Sequence, residues 1–185
     1  MDRQTIDDKI KEFSKLIEYP AEKIKTLKQA MKSELISKDI KKHKNKEYSN
    51  EVLAIVGDSI LKFFICEKYK NSGIKEKGEI DKYKRKYEKN KVLYLVMKNE
   101  GWINYAYNNK CFYSNNAIKS NEKPVFPKHD AYLEAIIAAA YYDTNKNYNK
   151  VKKWINDFLF PKLEKASKDV EVNKEAQIKQ KNNDK

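Results

Sequence analysis

The chain has 185 residues, a length that fits one domain able to bury a sizeable core. Its 40 Lys and Arg residues against 27 Asp and Glu give a formal net charge of +13, which favours a polyanionic partner such as RNA, DNA or an anionic membrane surface. With no apolar run of about 18 residues, no apolar signal segment after Met1 and only two cysteines, the sequence argues against a membrane-spanning, secreted or disulfide-stabilised protein, and we expect an intracellular location, cytoplasmic or nuclear.

Helical periodicity in the first part of the chain predicts an all-α domain. Apolar residues recur at i, i+3 or i+4, and i+7 from Ile6 to Ile17, a pattern typical of an amphipathic helix. We expect a second helix from Pro20 to about Leu35, followed by a polar loop over residues 38–48.

The middle of the chain is predicted to add one long helix and a helical pair. Residues 49–50 supply an N-cap for a helix that continues to about residue 70. Residues 78–91 and 92–100 form one broken helix or two short ones. Residues 108–128 contain turn formers without a clean period, and we expect them to form a long loop.

The last third of the chain is predicted to contain two more helices and an unstructured end. Residues 130–142 are strongly apolar, and residues 151–163 form an amphipathic helix interrupted near Pro161. The remaining residues are charged and rich in Gln and Asn, which predicts a disordered tail. We therefore expect one helical-bundle domain over residues 1–167 and a tail over residues 168–185.

Two carboxylates lie in apolar helical segments, where an unpaired charge is costly. Asp58 lies in AIVGDSILKFF and Glu134 lies in AYLEAIIAAAYYD. If the two helices pack together, like-charge repulsion calls for a cation between them, and Mg²⁺ prefers such hard oxygen ligands. Glu51 lies two turns before Asp58, and Asp130 lies one turn before Glu134, so up to four carboxylates could cluster. Such a site suits metal-assisted hydrolysis of a phosphodiester.

Spacing alone leaves an ordinary structural role open for these acids. Asp58 and Lys62 are four residues apart and could form an ion pair along one helix. Glu51 and Asp130 could occupy first-turn or capping positions.

Several segments resemble the ribonuclease III family in the same order and spacing, over roughly residues 10–167. NEVLAIVGDSIL, residues 50–61, resembles the family signature Asn-Glu-Arg-Leu-Glu-Phe-Leu-Gly-Asp. GEIDKYKRKYEKNKVL resembles its second, basic segment, and KVKKWINDFLFPKLEKA resembles its closing helix. EAIIAAAYYD, residues 134–143, resembles the family segment Glu-Ala-Leu-Ile-Gly-Ala-Ile-Tyr-Leu-Asp.

This resemblance implies an all-helical endonuclease domain that forms a homodimer. It also implies cleavage of double-stranded RNA with Mg²⁺, or with Mn²⁺ in its place, to leave 5′-phosphate ends. Asp58 and Glu134 match the catalytic, metal-binding carboxylates of the family. Glu51 matches a glutamate near the dimer seam and the RNA, and Ile55 takes a position where the family often has an aromatic residue that docks into the partner subunit.

Two positions depart from the family pattern. Ala54 replaces the second glutamate of the signature, a change that resembles the mini-ribonuclease III branch. Ala131 replaces the aspartate three residues before Glu134, and Asp130 is displaced by one position. We expect Asp130 to act as an outer or replacement ligand, because i and i+4 neighbours lie as close on a helix as i and i+3 neighbours.

Lysine-rich segments are expected to contact duplex RNA, because A-form RNA presents phosphates and 2′-hydroxyls rather than readable base edges. A solvated helix face is the ordinary alternative for each of them. The residues after 167 are too few for the double-stranded RNA-binding domain of bacterial-type enzymes, so we expect a minimal enzyme, a shortened form of a longer one, or a subunit that takes its RNA affinity from a separate RNA-binding subunit. The candidate contacts are Lys41, Lys42, Lys44, Lys46, Lys82, Lys84, Arg85 and Lys86.

The sequence thus predicts a Mg²⁺-dependent endoribonuclease that acts on double-stranded RNA in RNA processing, with no membrane partner. The alternative is a catalytically weakened or inactive relative that serves as an RNA-binding or ribosome-associated scaffold. Ala54 and Ala131 favour the scaffold, whereas the retention of Asp58 and Glu134 in apolar helices favours the enzyme.

Overall fold

The computed structural model describes residues 5–32, 50–107 and 129–183, with side chains for all of these except residues 129, 130 and 175–183. The described residues form no β-strand, and one isolated parallel bridge joins Lys32 to Tyr107. The all-α prediction is therefore confirmed, while the loops predicted over residues 38–48 and 108–128 lie outside the described residues. The helices are α1 (Ile6–Leu16), α2 (Lys25–Ala30), α3 (Glu51–Asn71), α4 (Lys77–Tyr87), α5 (Asn90–Asn99), a 3₁₀ helix (Trp102–Tyr105), α6 (His129–Asp143), α7 (Tyr148–Trp154), a π-helix (Ile155–Leu159) and α8 (Phe160–Asn183).

Helix α6 is the centre of the bundle, because it is apolar on every side. Leu133 and all residues of the run 135–140 are fully buried, and the helix packs against α2, α3, α5 and α7. An all-round apolar helix of this kind is expected in a protein interior. Despite this centre, none of the described helices is both long and apolar enough to cross a bilayer. Glu134 is the exception within the buried run, and the packing of α6 determines where its carboxylate lies.

Helix α2 begins at Lys25, later than the predicted start at Pro20, because its cap comes from a distant residue. The Asp143 carboxylate at the end of α6 accepts hydrogen bonds from the backbone N–H groups of Thr26 and Leu27 at 3.1 Å. It also accepts a bond of 3.0 Å from the Tyr19 hydroxyl, and burial together with this carboxylate raises the pKa of Tyr19. A carboxylate stabilises a helix N-terminus wherever it comes from in the sequence, so no local pattern marks this start.

Helix α8 extends past the predicted end of the domain. It continues to Asn183, and the Lys86 ammonium binds the Glu171 carboxylate at 3.1 Å. The sequence predicts a disordered tail from residue 168, whereas the structure continues the helix through this segment, and near its start Val170 packs against the core. The domain boundary at residue 167 stays a prediction. The residues of α8 that pack on the bundle have i, i+3, i+4 and i+7 spacing and are Leu163, Ala166, Ser167 and Val170.

Candidate functional site

Helices α3 and α6 approach each other closely at Gly57. A Cβ atom added to Gly57 would lie 1.7 Å from the carbonyl oxygen of Glu134 and 2.5 Å from its carbonyl carbon. The lack of a side chain at residue 57 therefore allows the two backbones to touch. Because Asp58 follows Gly57 directly, the predicted residues Asp58 and Glu134 lie at the same helix crossing, and both are partly buried.

The ammonium group of Lys62 lies among the carboxylates of this crossing. Its Nζ atom donates a hydrogen bond of 2.7 Å to Asp58 Oδ2 and lies 4.0 Å from Glu88 Oε2. The bond to Asp58 and the charges of Asp58, Glu88 and Glu134 raise the pKa of Lys62, so this side chain is a cation at neutral pH. The ion pair between Asp58 and Lys62 that the sequence left open is thus present. We call these four residues, Asp58, Lys62, Glu88 and Glu134, the crossing site.

Glu88 is the member of the crossing site that sequence reasoning missed. It directly follows the last residue of α4, and its Oε2 atom is buried without a hydrogen-bond partner among the described residues. In the sequence it lies between basic residues and resembles part of a solvated helix face. One signal could have identified it, since the helix dipole disfavours a carboxylate at a helix C-terminus unless a cation lies nearby. Lys62 in α3 supplies this cation, with its Nζ atom 4.0 Å from Glu88 Oε2.

The remaining predicted metal ligands do not extend the crossing site within the described residues. Ala54 is buried and Ala131 packs against the core, so neither position offers an oxygen atom from its side chain. Asp130 lies in the first turn of α6, but its side chain is outside the described residues. In the described parts of the chain, no group of three or more His, Cys, Asp or Glu side chains could hold a metal ion.

The carboxylate oxygens of Asp58 and Glu134 fit Mg²⁺ as part of its coordination shell. This ion is usually bound by one or two carboxylates together with waters and substrate phosphates, rather than by a cage made only of protein. The bound ammonium of Lys62 further indicates that the crossing attracts positive charge. The pair therefore supplies two ligands of an ion whose remaining positions waters or a substrate phosphate would fill, and it is not a cage made only of protein.

A stripe of exposed apolar side chains runs along α3 beside the crossing site. Val52 is 65% exposed, Ile55 is 70% exposed and Phe63 is 54% exposed. The helical spacing of these three residues places them on one face of α3. Glu51, the first residue of α3, is also exposed. Glu51 and Ile55, the two residues predicted to lie at the dimer seam, are therefore both accessible.

The basic residues predicted to bind RNA from α4 fall into two groups. Lys84 and Lys86 are partly buried and form ion pairs with Asp81 and Glu171. Lys82 and Arg85 are exposed, and the Arg85 side chain is 74% exposed even though its guanidinium lies 3.6 Å from the Asp81 carboxylate. This second group is the accessible basic surface of α4. The other candidates, Lys41, Lys42, Lys44 and Lys46, lie outside the described residues.

Comparison with known proteins identifies the family to which the chain belongs. The Ribonuclease III domain family matches residues 51–145, which is just over half of the chain and includes the whole crossing site. Among curated proteins, none matches the chain. The helical bundle is consistent with the fold of that domain. The chain therefore belongs to the ribonuclease III domain family, a family of endonucleases that act on double-stranded RNA and generally use a divalent metal ion.

Proposed function

We propose that the chain is a Mg²⁺-dependent endoribonuclease that cleaves double-stranded RNA and leaves 5′-phosphate ends, with Mn²⁺ able to replace Mg²⁺. The observation that carries the proposal is the backbone contact between Gly57 and Glu134, which brings Asp58 and Glu134 to one crossing of two apolar helices. Two acids in such a place repel each other and lose hydration, and a cation between them offsets both costs. Family membership supports the substrate class.

The residues near the crossing have separate roles in this proposal. Asp58 and Glu134 hold the ion, and Asp130 adds a ligand from the first turn of α6. A bound ion would activate the attacking water and stabilise the leaving 3′-oxygen. Lys82 and Arg85 on α4 bind phosphates of the duplex, which gives affinity without base recognition.

The test of this function is incubation of the purified protein with a long RNA duplex in Mg²⁺, in Mn²⁺ and in excess chelator. We expect internal cutting in either ion and none in chelator, because the proposed reaction depends on the bound ion to activate the attacking water. Enzymatic ligation of the products to an acceptor strand would detect their 5′-phosphates. Single-stranded RNA of the same sequence is the control and is expected to stay largely intact. Binding of the duplex without cutting in either ion would contradict the proposal.

We further propose that the exposed stripe of Val52, Ile55 and Phe63 on α3 is a homodimer interface. Exposed apolar side chains that share one helix face are typical of a surface that a partner covers, and on this face the exposed Ser59 lies between Ile55 and Phe63. In a twofold interface each residue occurs twice, so one substitution acts on both subunits.

Ile55→Glu is expected to weaken dimerisation by at least about a hundredfold, because it introduces two unpaired carboxylates into the interface. Sedimentation velocity over a concentration series measures this change. Val172→Glu is the matched control, since Val172 is 65% exposed on α8 and lies outside the stripe. The proposed interface would be contradicted if the parent chain stays monomeric at its highest soluble concentration. It would also be contradicted if the Ile55→Glu variant dimerises as tightly as the parent.

One observation favours a second function, that of a duplex RNA-binding scaffold without catalysis. The Lys62 ammonium already neutralises Asp58 at 2.7 Å, and residues 54 and 131 are alanines. For such a scaffold, duplex affinity would be the same in Mg²⁺ and in chelator at matched ionic strength. The cleavage test above separates the two functions.

A further inference from the structure

Lys62 lies between two carboxylates at unequal distances. Its Nζ atom is 2.7 Å from Asp58 Oδ2 and 4.0 Å from Glu88 Oε2. The Lys62 side chain is 41% exposed, that of Asp58 is 33% exposed and that of Glu88 is 25% exposed. Solvent therefore screens the charges of these three side chains only in part. The location of the Lys62 ammonium changes the electrostatic potential that an incoming cation meets at Asp58.

Glu88 offers a second binding position for the same ammonium group. Its Oε2 atom is buried and has no hydrogen-bond partner among the described residues, which is a costly state for a carboxylate oxygen. A shift of the Lys62 ammonium by about 1 Å would bring it within hydrogen-bond distance of this oxygen. Lysine is suited to such a shift, because its charge is compact, its stem is flexible and it has three donors.

Charge balance connects this shift to the binding of a divalent cation. Asp58, Glu88 and Glu134 carry three negative charges when ionised, and Lys62 carries one positive charge. A divalent cation therefore completes neutrality only if Lys62 stays in the crossing site. While the ammonium is bound to Asp58, however, it occupies an oxygen that the cation needs and repels the cation.

We propose that Lys62 sets the metal affinity of this nuclease: bound to Asp58 it competes with the divalent cation, and its transfer to Glu88 frees Asp58 for that cation. This inference rests on the proposed function, because it concerns the same metal site. Lys62 and Glu88 are positioning residues here, since they act through Asp58. The experiment is Mn²⁺ binding measured by isothermal titration calorimetry and by loss of the free-Mn²⁺ electron paramagnetic resonance signal, in the absence of RNA.

Four variants of the full chain test the two positions of the ammonium. Lys62→Met is expected to bind Mn²⁺ about tenfold more tightly than the parent, because the competing charge is gone. Glu88→Gln is expected to bind it about threefold more weakly, because the ammonium loses its alternative position. When Lys62→Met is already present, adding Glu88→Gln is expected to leave the Mn²⁺ affinity unchanged. The matched control is Lys153→Met, which removes a lysine from another i, i+4 pair, with Asp157, and should bind like the parent.

Lys62→Arg provides an independent test if the methionine variant folds poorly by circular dichroism. The arginine fork holds a carboxylate by two parallel bonds, so it should stay on Asp58 and lower the Mn²⁺ affinity below that of the parent. Tighter binding by Lys62→Arg would overturn the inference. Unchanged or weaker binding by a folded Lys62→Met would overturn it too. If Glu88→Gln weakens binding equally when Lys62 is absent, Glu88 is itself a ligand and the proposed transfer is wrong.

Cleavage of the RNA duplex, measured on the same samples, separates this inference from the proposed function. If Lys62→Met binds Mn²⁺ more tightly but no variant cuts RNA, the nuclease function fails and the role of Lys62 in ion affinity stands. If the parent cuts RNA but its Mn²⁺ affinity does not depend on Lys62, the nuclease function stands and the role of Lys62 fails. If neither the parent nor Lys62→Met binds Mn²⁺ at millimolar concentration, the inference is refuted.

Discussion

Asp58→Asn and Glu134→Gln are each expected to reduce the rate of duplex cleavage by at least about a thousandfold, with the fold intact. Each change keeps the shape of the side chain but removes the negative charge that would hold the divalent ion. The measurement is a single-turnover rate on an end-labelled RNA duplex with saturating Mg²⁺. Raising the Mn²⁺ concentration is expected to restore part of the activity, because the remaining carboxylate and the RNA phosphate still bind the ion weakly.

Measurements of unfolding distinguish a loss of catalysis in these variants from a loss of folding. Asp58→Asn removes the pair with Lys62, but both side chains are a third or more exposed, so the free energy of unfolding should change by less than about 1 kcal/mol. Asp157→Asn is the matched control, because Asp157 forms an i, i+4 pair with Lys153 outside the crossing site. It should cut RNA at the parent rate. Cleavage by Asp58→Asn or Glu134→Gln within about tenfold of the parent rate would contradict the assigned roles.

Gly57→Ala is expected to lower the free energy of unfolding by about 4 kcal/mol or more. The added Cβ would lie 1.7 Å from a backbone oxygen of Glu134, and a backbone atom cannot rotate away as the end of a side chain can. Helices α3 and α6 would have to move apart along an extensive contact between them. For a chain of this size, the loss corresponds to a fall in melting temperature of roughly 10 °C.

Gly78→Ala provides the control for the glycine substitution. A Cβ atom at Gly78 in α4 would meet nothing within 4 Å, so alanine should be neutral or should stabilise the helix by up to about 1 kcal/mol. Thermal unfolding followed by circular dichroism measures both variants. If Gly57→Ala melts within about 2 °C of the parent, the close approach of α3 and α6 at Glu134 is not what holds the site together.

The sequence was most informative where local pattern and tertiary packing agree. Helices α3 and α6 lie close to their predicted positions, because long apolar runs with few turn formers have few alternatives to a buried helix. Asp58 and Glu134 were identifiable for the same reason, since a single carboxylate is conspicuous in such a run. The sequence pattern does not predict that these two residues lie together beside Gly57. That depends on which faces of the two helices contact each other.

The features that the sequence did not predict depend on contacts between distant segments. The start of α2 is determined by Asp143, more than a hundred residues away along the chain. Val170 contacts the core from within the charged segment after residue 167, and the packing of α4 against α3 brings Glu88 to the crossing site. The sequence predicts the ion pair between Lys62 and Asp58 as an alternative to a metal site, whereas the structure places Lys62 within the candidate metal site itself.

Asp58 and Glu134 are expected to share one divalent cation across the contact between α3 and α6. Diffraction at the manganese absorption edge, from crystals of the chain grown with Mn²⁺ and a short RNA duplex, tests it most directly. We predict an anomalous peak within coordination distance of both carboxylates and of an RNA phosphate, with the Lys62 ammonium on Glu88. The absence of a peak at this position, with the ammonium still bound to Asp58 and the duplex in place, would contradict the claim.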